Sequence, residues 1–183
     1  MSTRIAWLLF LLMLFFLPVS CLAANENLYS LGVRYGTNEA TDKKTDLRRY
    51  EVFGVFNLPW NWQIVSPVDL DTFLIFSGGI LDGEGDLSFI GTLGPGVRFT
   101  DSQKRIALEL STGIALIPDY RLGGEDFGGP LQFIMDAGVE VRLFKHLGLS
   151  YRYHHFSDAA IFGSDNRGVD MHMFGVGYRF LPL

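Results

Sequence analysis

Leu131-Gln-Phe-Ile-Met-Asp-Ala-Gly-Val-Glu-Val-Arg142 is the stretch that decides the fold. Every second residue from Leu131 to Val141 is apolar, and the residues between them include Asp136 and Glu140. Successive side chains of a β-strand point to opposite faces, so this period of two predicts a strand with one apolar face and one mostly polar face.

The same alternation occurs throughout the chain and predicts eight strands in all. The clearest neighbour is Ile106–Leu116, in which Glu109 lies among small residues on the polar face. The second strand is expected to end at a turn around Pro59, and the third is the least regular. The eight predicted strands are Leu28–Tyr35, Arg48–Leu58, Gln63–Gly78, Leu87–Phe99, Ile106–Leu116, Leu131–Arg142, Leu147–Asp158 and Val169–Phe180.

The composition indicates where the apolar faces point. The chain has 16 phenylalanines, 7 tyrosines and 21 glycines, and after residue 24 it has no apolar run long enough for a spanning helix. The strands of a soluble β-sandwich also alternate between apolar and polar residues. Its charged face, however, would point to solvent, and such a fold would not need so many glycines. We therefore predict an all-β fold, an eight-stranded antiparallel transmembrane β-barrel of the outer membrane. Its polar interior is expected to contain Arg34, Arg98, Glu109, Asp136, Glu140, Arg142 and Arg152.

The first 24 residues are expected to be a signal peptide, which leaves residues 25–183 as the barrel domain. Arg4 precedes the apolar run Ile5–Leu17, and small residues follow at the expected cleavage site. Cys21 leaves open a second interpretation, lipoprotein processing, although Pro18 fits that signal poorly. The chain carries a net charge of −5, which becomes −6 once Arg4 is removed. This acidic balance and the lack of a basic patch argue against a nucleic-acid partner.

Three residues near the C-terminus form a candidate hydrolytic site. His155 and Ser157 lie on the same face of the seventh predicted strand, and Asp170 is on the outward face of the eighth. Longer polar loops follow the first, fifth and seventh strands, so with both termini in the periplasm these three residues meet at the extracellular rim. A hydroxyl nucleophile, an imidazole base and an orienting acid suit acyl transfer.

The order of these residues resembles the PagL family of lipid A 3-O-deacylases. The resemblance rests on His155-x-Ser157, on Asn166-x-Gly168-Val169-Asp170, and on the closing Tyr178–Leu183. It implies an outer-membrane enzyme that hydrolyses the ester-linked 3-hydroxyacyl chain at position 3 of lipid A in lipopolysaccharide. It also implies a Ser-His-acid triad at the outer-leaflet side that uses no metal or other cofactor.

Two positions depart from the family pattern. The family usually has Glu where this chain has Asp170, and Asn where it has Asp158. An ionised Asp cannot donate a hydrogen bond to an oxyanion, so the donors of the oxyanion hole would have to come from elsewhere. Candidate donors are backbone N–H groups at Ala159 or Ala160 and Asn166, and Asp158 and Gly168 are candidates for supporting the hole.

Other interpretations stay open from the sequence. His154, His155 and His172 could be residues of the membrane interface, where amphipathic rings collect. The barrel could also be a non-catalytic structural or adhesion protein, or an outer-membrane phospholipase or esterase. It could be a monomer or a homodimer.

Overall fold

The computed structural model describes residues 27–38, 45–65, 68–159, 161 and 168–180, so the predicted signal peptide lies outside the described residues. It contains the predicted closed antiparallel barrel of eight strands. Two further short strands, β6 and β7, pair with each other in the loop after β5. The strands are β1 Leu28–Asn38, β2 Leu47–Val65, β3 Val68–Gly83, β4 Asp86–Thr100, β5 Ile106–Leu116, β6 Arg121–Leu122, β7 Glu125–Asp126, β8 Leu131–Arg142, β9 Leu147–Ser157 and β10 Gly168–Arg179.

Each barrel strand pairs with its neighbours along the chain, and β1 pairs with β10 to close the ring. Burial alternates along the strands, as in β8, where Gln132, Ile134 and Asp136 are buried while Phe133 and Met135 are exposed. The exposed side chains of this barrel are therefore mostly apolar, which suits a wall that faces lipid. Among the residues that the structure describes, no helix is both long and apolar enough to cross a bilayer.

The middle of the barrel is filled by paired charges. Arg152 donates to Asp136 over 2.5 Å and also to Glu109, which in turn accepts a 2.5 Å hydrogen bond from Arg98. Similar pairs join Arg179 to Glu140, and both Arg34 and Arg49 to Glu51. Arg142 was predicted to belong to this interior, and that prediction is wrong. It is the last residue of β8, and its guanidinium donates to the carbonyl of Gln103 in the turn between β4 and β5, 2.6 Å away.

Two predicted strand boundaries are also wrong. The second strand does not end at Pro59 but continues to Val65, and the third begins at Val68 instead of Gln63. Pro59 has no backbone N–H to donate, and it lies where the pairing between β2 and β3 is irregular, between Asn57 and Asn61. The irregular ladder therefore tolerates a proline inside a strand.

The alternation in the first predicted strand places Tyr29 on the outward face with Leu31, but the ring of Tyr29 lies inside. The pairing of β1 with β2 shifts between Leu28 and Ser30, so the alternation breaks there. The guanidinium of Arg98 lies 3.8 Å from the centre of the Tyr29 ring, which packs on the interior cluster around Phe53 and Phe73.

The loop between β5 and β8 covers the outer mouth of the barrel. Ile117, Leu122 and Phe127 are almost fully buried in an apolar cluster with inward side chains such as Ile90. The loop is held from the opposite side, because Thr45 accepts a 2.7 Å hydrogen bond from the backbone N–H of Gly124. Apolar packing thus closes this end of the barrel above the charged layer.

Candidate active site

The three predicted site residues lie on the outer wall, near the end of β9 and the start of β10, at the same end of the barrel as the loop between β5 and β8. His155 is directly opposite Asp170 in the ladder between these strands, and Ser157, the last residue of β9, is opposite Gly168. Each of the three is half-buried, whereas His154, Phe156 and Val169 are buried inside. Strand parity therefore separates the two adjacent histidines, as predicted.

His155 and Asp170 are in direct contact. The Nδ1 atom of His155 lies 2.6 Å from Oδ1 of Asp170. An ionised carboxylate only accepts hydrogen bonds, so Nδ1 carries the proton that is shared in this contact. In the neutral ring Nε2 is then the unprotonated nitrogen, which is the form that a general base requires.

Gly168 leaves space beside the His155 ring. A Cβ atom at residue 168 would lie 3.0 Å from Cε1 and 3.5 Å from Nε2 of His155. The side of the ring that carries Nε2 therefore lies against the backbone of Gly168, which is the ladder partner of Ser157. A side chain at this position would crowd the imidazole.

The candidates for oxyanion support differ in what the structure says of them. Asp158 directly follows β9 and is 1% exposed, since it continues the alternation in which His154 and Phe156 point inward. Ala160 and Asn166 lie outside the described residues. Next to Asp158, Ala159 has a φ of 49°, a left-handed conformation that is rare for a residue with a side chain. The N–H of Ile161 donates to the Asp158 carbonyl over 3.0 Å and closes a turn there.

A second outward histidine adjoins the site, and the sequence had indicated only an interface role for it. His172 lies two residues from Asp170 on the same face, and its Nδ1 is 2.7 Å from the hydroxyl of Tyr151. Its ring also meets the edge of Tyr153, with the ring centres 5.5 Å apart. These contacts join residues of two strands and depend on their register, which no local sequence pattern reports.

A groove with a volume of about 790 Å³ crosses the outer wall from His155, and we call it the wall groove. Its lining is mainly apolar or small: Leu58, Trp60, Thr72, Pro95, Gly96, Val97, Leu110, Ser111, Thr112, Met135, Asp136, Ala137, Tyr153 and His155. A larger depression of about 990 Å³ is lined by residues of β1, β2, β3, β8, β9 and β10, but not by the three site residues. We assign the candidate site to the wall groove because it begins at His155.

Within the described residues, no group of three or more His, Cys, Asp or Glu side chains is placed to hold a metal ion. The site itself presents a hydroxyl, an imidazole and a carboxylate group.

A closed eight-stranded barrel with an apolar outer wall and a charged interior has the architecture of an outer-membrane β-barrel. This one carries a candidate acyl-transfer site at one rim. The family model described as lipid A 3-O-deacylase (PagL) matches residues 48–179. The chain belongs to the PagL family of lipid A 3-O-deacylases.

Solved structures agree with this assignment at the level of the fold. The crystal structure of the outer membrane enzyme PagL is 17% identical, with a TM-score of 0.67, and the match covers 81% of this chain and 97% of that chain. The outer membrane protein Ail of Yersinia pestis, solved in a phospholipid bilayer nanodisc, is 13% identical, with a TM-score of 0.53 and coverages of 84% and 99%. No curated protein matches the chain. The similarity to solved outer-membrane barrels supports the predicted outer-membrane location.

Proposed function

We propose that this protein is a lipid A 3-O-deacylase that hydrolyses the ester-linked 3-hydroxyacyl chain at position 3 of lipid A in lipopolysaccharide. The observation that carries the proposal is the 2.6 Å contact between His155 and Asp170, on the same outward rim as Ser157. Family membership supports the substrate class. The proposed roles are nucleophile for Ser157, general base for His155 and orienting acid for Asp170.

In the first half of the reaction, the Ser157 hydroxyl attacks the carbonyl carbon of the ester. Nε2 of His155 takes the hydroxyl proton, and the Asp170 carboxylate stabilises the imidazolium that forms. The tetrahedral intermediate then collapses. The bond between carbon and the 3-oxygen of the sugar breaks, and the sugar oxygen leaves with the proton from His155, so that an acyl group stays on Ser157.

In the second half, water takes the place of the sugar hydroxyl. His155 removes a proton from water as the water oxygen attacks the acyl carbon, and the same proton then returns to the oxygen of Ser157. The products are a 3-hydroxy fatty acid and the free serine. All three residues belong to β9 and β10 of one barrel, so the reaction requires only one chain.

The oxyanion needs donors that the Asp158 carboxylate cannot provide. We assign this role to backbone N–H groups in the turn that begins at Asp158. The left-handed conformation of Ala159 supports this choice, because strained backbone of this kind often accompanies functional sites. Loss of one oxyanion donor typically lowers kcat by about 100 to 1,000-fold.

The wall groove supports an acyl ester as the substrate. It begins at His155 and continues over Ala137, Leu110 and Val97, so an extended hydrocarbon chain attached to the reacting carbonyl would contact apolar side chains along its length. The open side of the groove faces the lipid phase. The substrate can therefore enter laterally from the outer leaflet, where lipopolysaccharide is found.

The test is the mass spectrum of lipid A from cells that express the protein, with Ser157→Ala as the matched control. We expect the loss of one 3-hydroxyacyl chain with the wild type and intact lipid A with the variant. Deacylation at the wild-type rate by inserted Ser157→Ala protein would contradict the assigned nucleophile. Lysophospholipid in the same extract would indicate a phospholipase, and unchanged lipids would indicate a non-catalytic barrel.

A further inference from the structure

The outer wall is organised in rows of laterally paired residues, and one row passes through the proposed site. On β9, β8, β5 and β4 it consists of Tyr153, Ala137, Leu110 and Val97, which are successive ladder partners. This part of the row lines the wall groove. In the other direction the partners of Tyr153 are His172 on β10, Thr37 on β1 and Arg48 on β2.

The row climbs toward the extracellular rim as it leaves the groove. Val97 lies eleven residues inside β4, Ala137 six residues inside β8 and Tyr153 four residues from the end of β9. Thr37 and Arg48, by contrast, are one residue from the outer ends of their strands. This slope follows from the strand tilt of about 35–45° in small barrels, since lateral rows run perpendicular to the strands. The row therefore begins at headgroup depth and descends into hydrocarbon.

The chemistry of the row changes at the proposed site. Below Tyr153 it is apolar, while above it comes His172, then Thr37, then the exposed guanidinium of Arg48. Arg48 forms no ion pair within the described part of the chain. Asp82, its partner on β3, instead accepts a 2.9 Å hydrogen bond from the N–H of Gly85 in the adjoining turn.

Lipid A is an acylated glucosamine disaccharide that carries phosphate groups. A substrate with its ester at Ser157 and its acyl chain in the wall groove extends its sugar along the polar half of the row. Two strand spacings separate His172 from Arg48, about 10 Å, which is within the length of a sugar and its substituents. Arginine binds phosphate through planar, charge-assisted hydrogen bonds.

We infer that Arg48, Thr37 and His172 form a phosphate-binding subsite for the sugar that carries the cleaved ester. The inference rests on the proposed function for the identity of the lipid. The subsite holds the headgroup at the rim, so that the ester carbonyl lies over Ser157 and the acyl chain points down the wall groove. His172 contributes through its ring, whose Nδ1 is already engaged by Tyr151. Arg48 supplies the charge.

Binding can be measured apart from catalysis in the Ser157→Ala protein. The probes are bisphosphorylated lipid A and the same lipid A with its phosphates removed, with dissociation constants determined on the full barrel in phospholipid nanodiscs. Adding Arg48→Ala is expected to raise Kd for the phosphorylated lipid by about tenfold, which corresponds to about 1.4 kcal/mol. Kd for the dephosphorylated lipid is expected to stay unchanged, and Arg48→Lys should restore part of the loss.

Arg105→Ala is the matched control, because Arg105 is an exposed arginine at the opposite, periplasmic rim. The subsite is refuted if Arg48→Ala leaves the Kd ratio of the two lipids unchanged, or if Arg105→Ala alters it equally. Failure of the proposed function gives a different result, namely intact lipid A in cells that express the wild type. In that case the Kd ratio still decides whether Arg48 recognises phosphate.

Discussion

Replacing Asp170 by Asn tests the link between the observed contact and the proposed chemistry. The substitution preserves the shape of the side chain but removes the charge that would stabilise an imidazolium at His155. An Asn amide can also donate to Nδ1, which would leave the proton on Nε2 and deprive Ser157 of its base. Both effects lower kcat.

The electrostatic contribution to this loss of kcat can be calculated from the structure. Two unit charges about 4 Å apart attract by about 1 kcal/mol in water and about 4 kcal/mol at an effective dielectric constant near 20. The side chains of His155 and Asp170 are 44% and 38% exposed, so the value lies between these limits, at about 2 kcal/mol. A loss of about 2 kcal/mol from the transition state lowers kcat by about 30-fold, and the wrong tautomer adds to this.

The assay is the rate of fatty acid release from lipid A by purified protein in detergent micelles. Asp170→Glu keeps the charge and has the acid that the family usually carries, so it should keep much more activity than Asp170→Asn. Asp119→Asn, which neutralises an exposed carboxylate in the extracellular loop, should have no effect. If Asp170→Asn releases fatty acid as fast as the wild type, then Asp170 is not the orienting acid and the proposed triad is wrong.

Three further outcomes follow from the structure. Gly168→Val should lower kcat by about 10- to 100-fold through displacement of the His155 ring, without lowering the melting temperature; full activity would contradict the proposed placement of the base. Arg152→Ala should lower the free energy of unfolding in urea by about 3–5 kcal/mol, because it leaves the buried Asp136 carboxylate without an arginine and removes one of the two arginines paired with Glu109. Arg121→Ala is the control, because it removes an exposed ion pair and should lower the free energy of unfolding by less than about 1 kcal/mol. Similar losses in the Arg152 and Arg121 variants would refute the stabilising role of the buried pairs. Hydrogen bonds from the backbone N–H groups of residues 106 and 105 hold the pKa of Asp101 below its usual range, so its contribution to stability is present at neutral pH and is lost as the pH falls through the lowered pKa. Asp101→Ala should therefore reduce the melting temperature at pH 7 more than at pH 2, and an equal reduction at both would count against this explanation.

The barrel as a whole was predictable because the pattern that identifies each strand involves only residues close together in the sequence. A period of two in the apolar residues assigns each side chain to one face, and that assignment correctly separated His154 from His155. The assignment of side chains to faces is wrong where a strand departs from regular pairing with its neighbour. Tyr29 turns inward at a shift in the ladder, and β2 passes through Pro59 at another. Neither shift leaves a periodic signal, because each is set by the partner strand.

The candidate site was predictable for a related reason. His155 and Ser157 are two residues apart, and Asp170 is on the neighbouring strand of the same hairpin, so strand parity and the antiparallel connection suffice to bring them to one rim. The contact between Tyr151 and His172 depends on the same hairpin, but predicting it requires the register. A shift of one residue in the register would have moved these side chains to opposite faces.

By itself, the sequence determined the class of fold, the face on which each regular strand residue lies, and the set of residues available for chemistry. Each of these depends on neighbours a few positions away in the chain. Only the tertiary structure decided the wall groove and the row from Arg48 to Val97, because the groove joins residues of six strands and the row residues of seven, at heights set by tilt and register. Those lateral partners are far apart in the chain, and closing the barrel is what places them side by side.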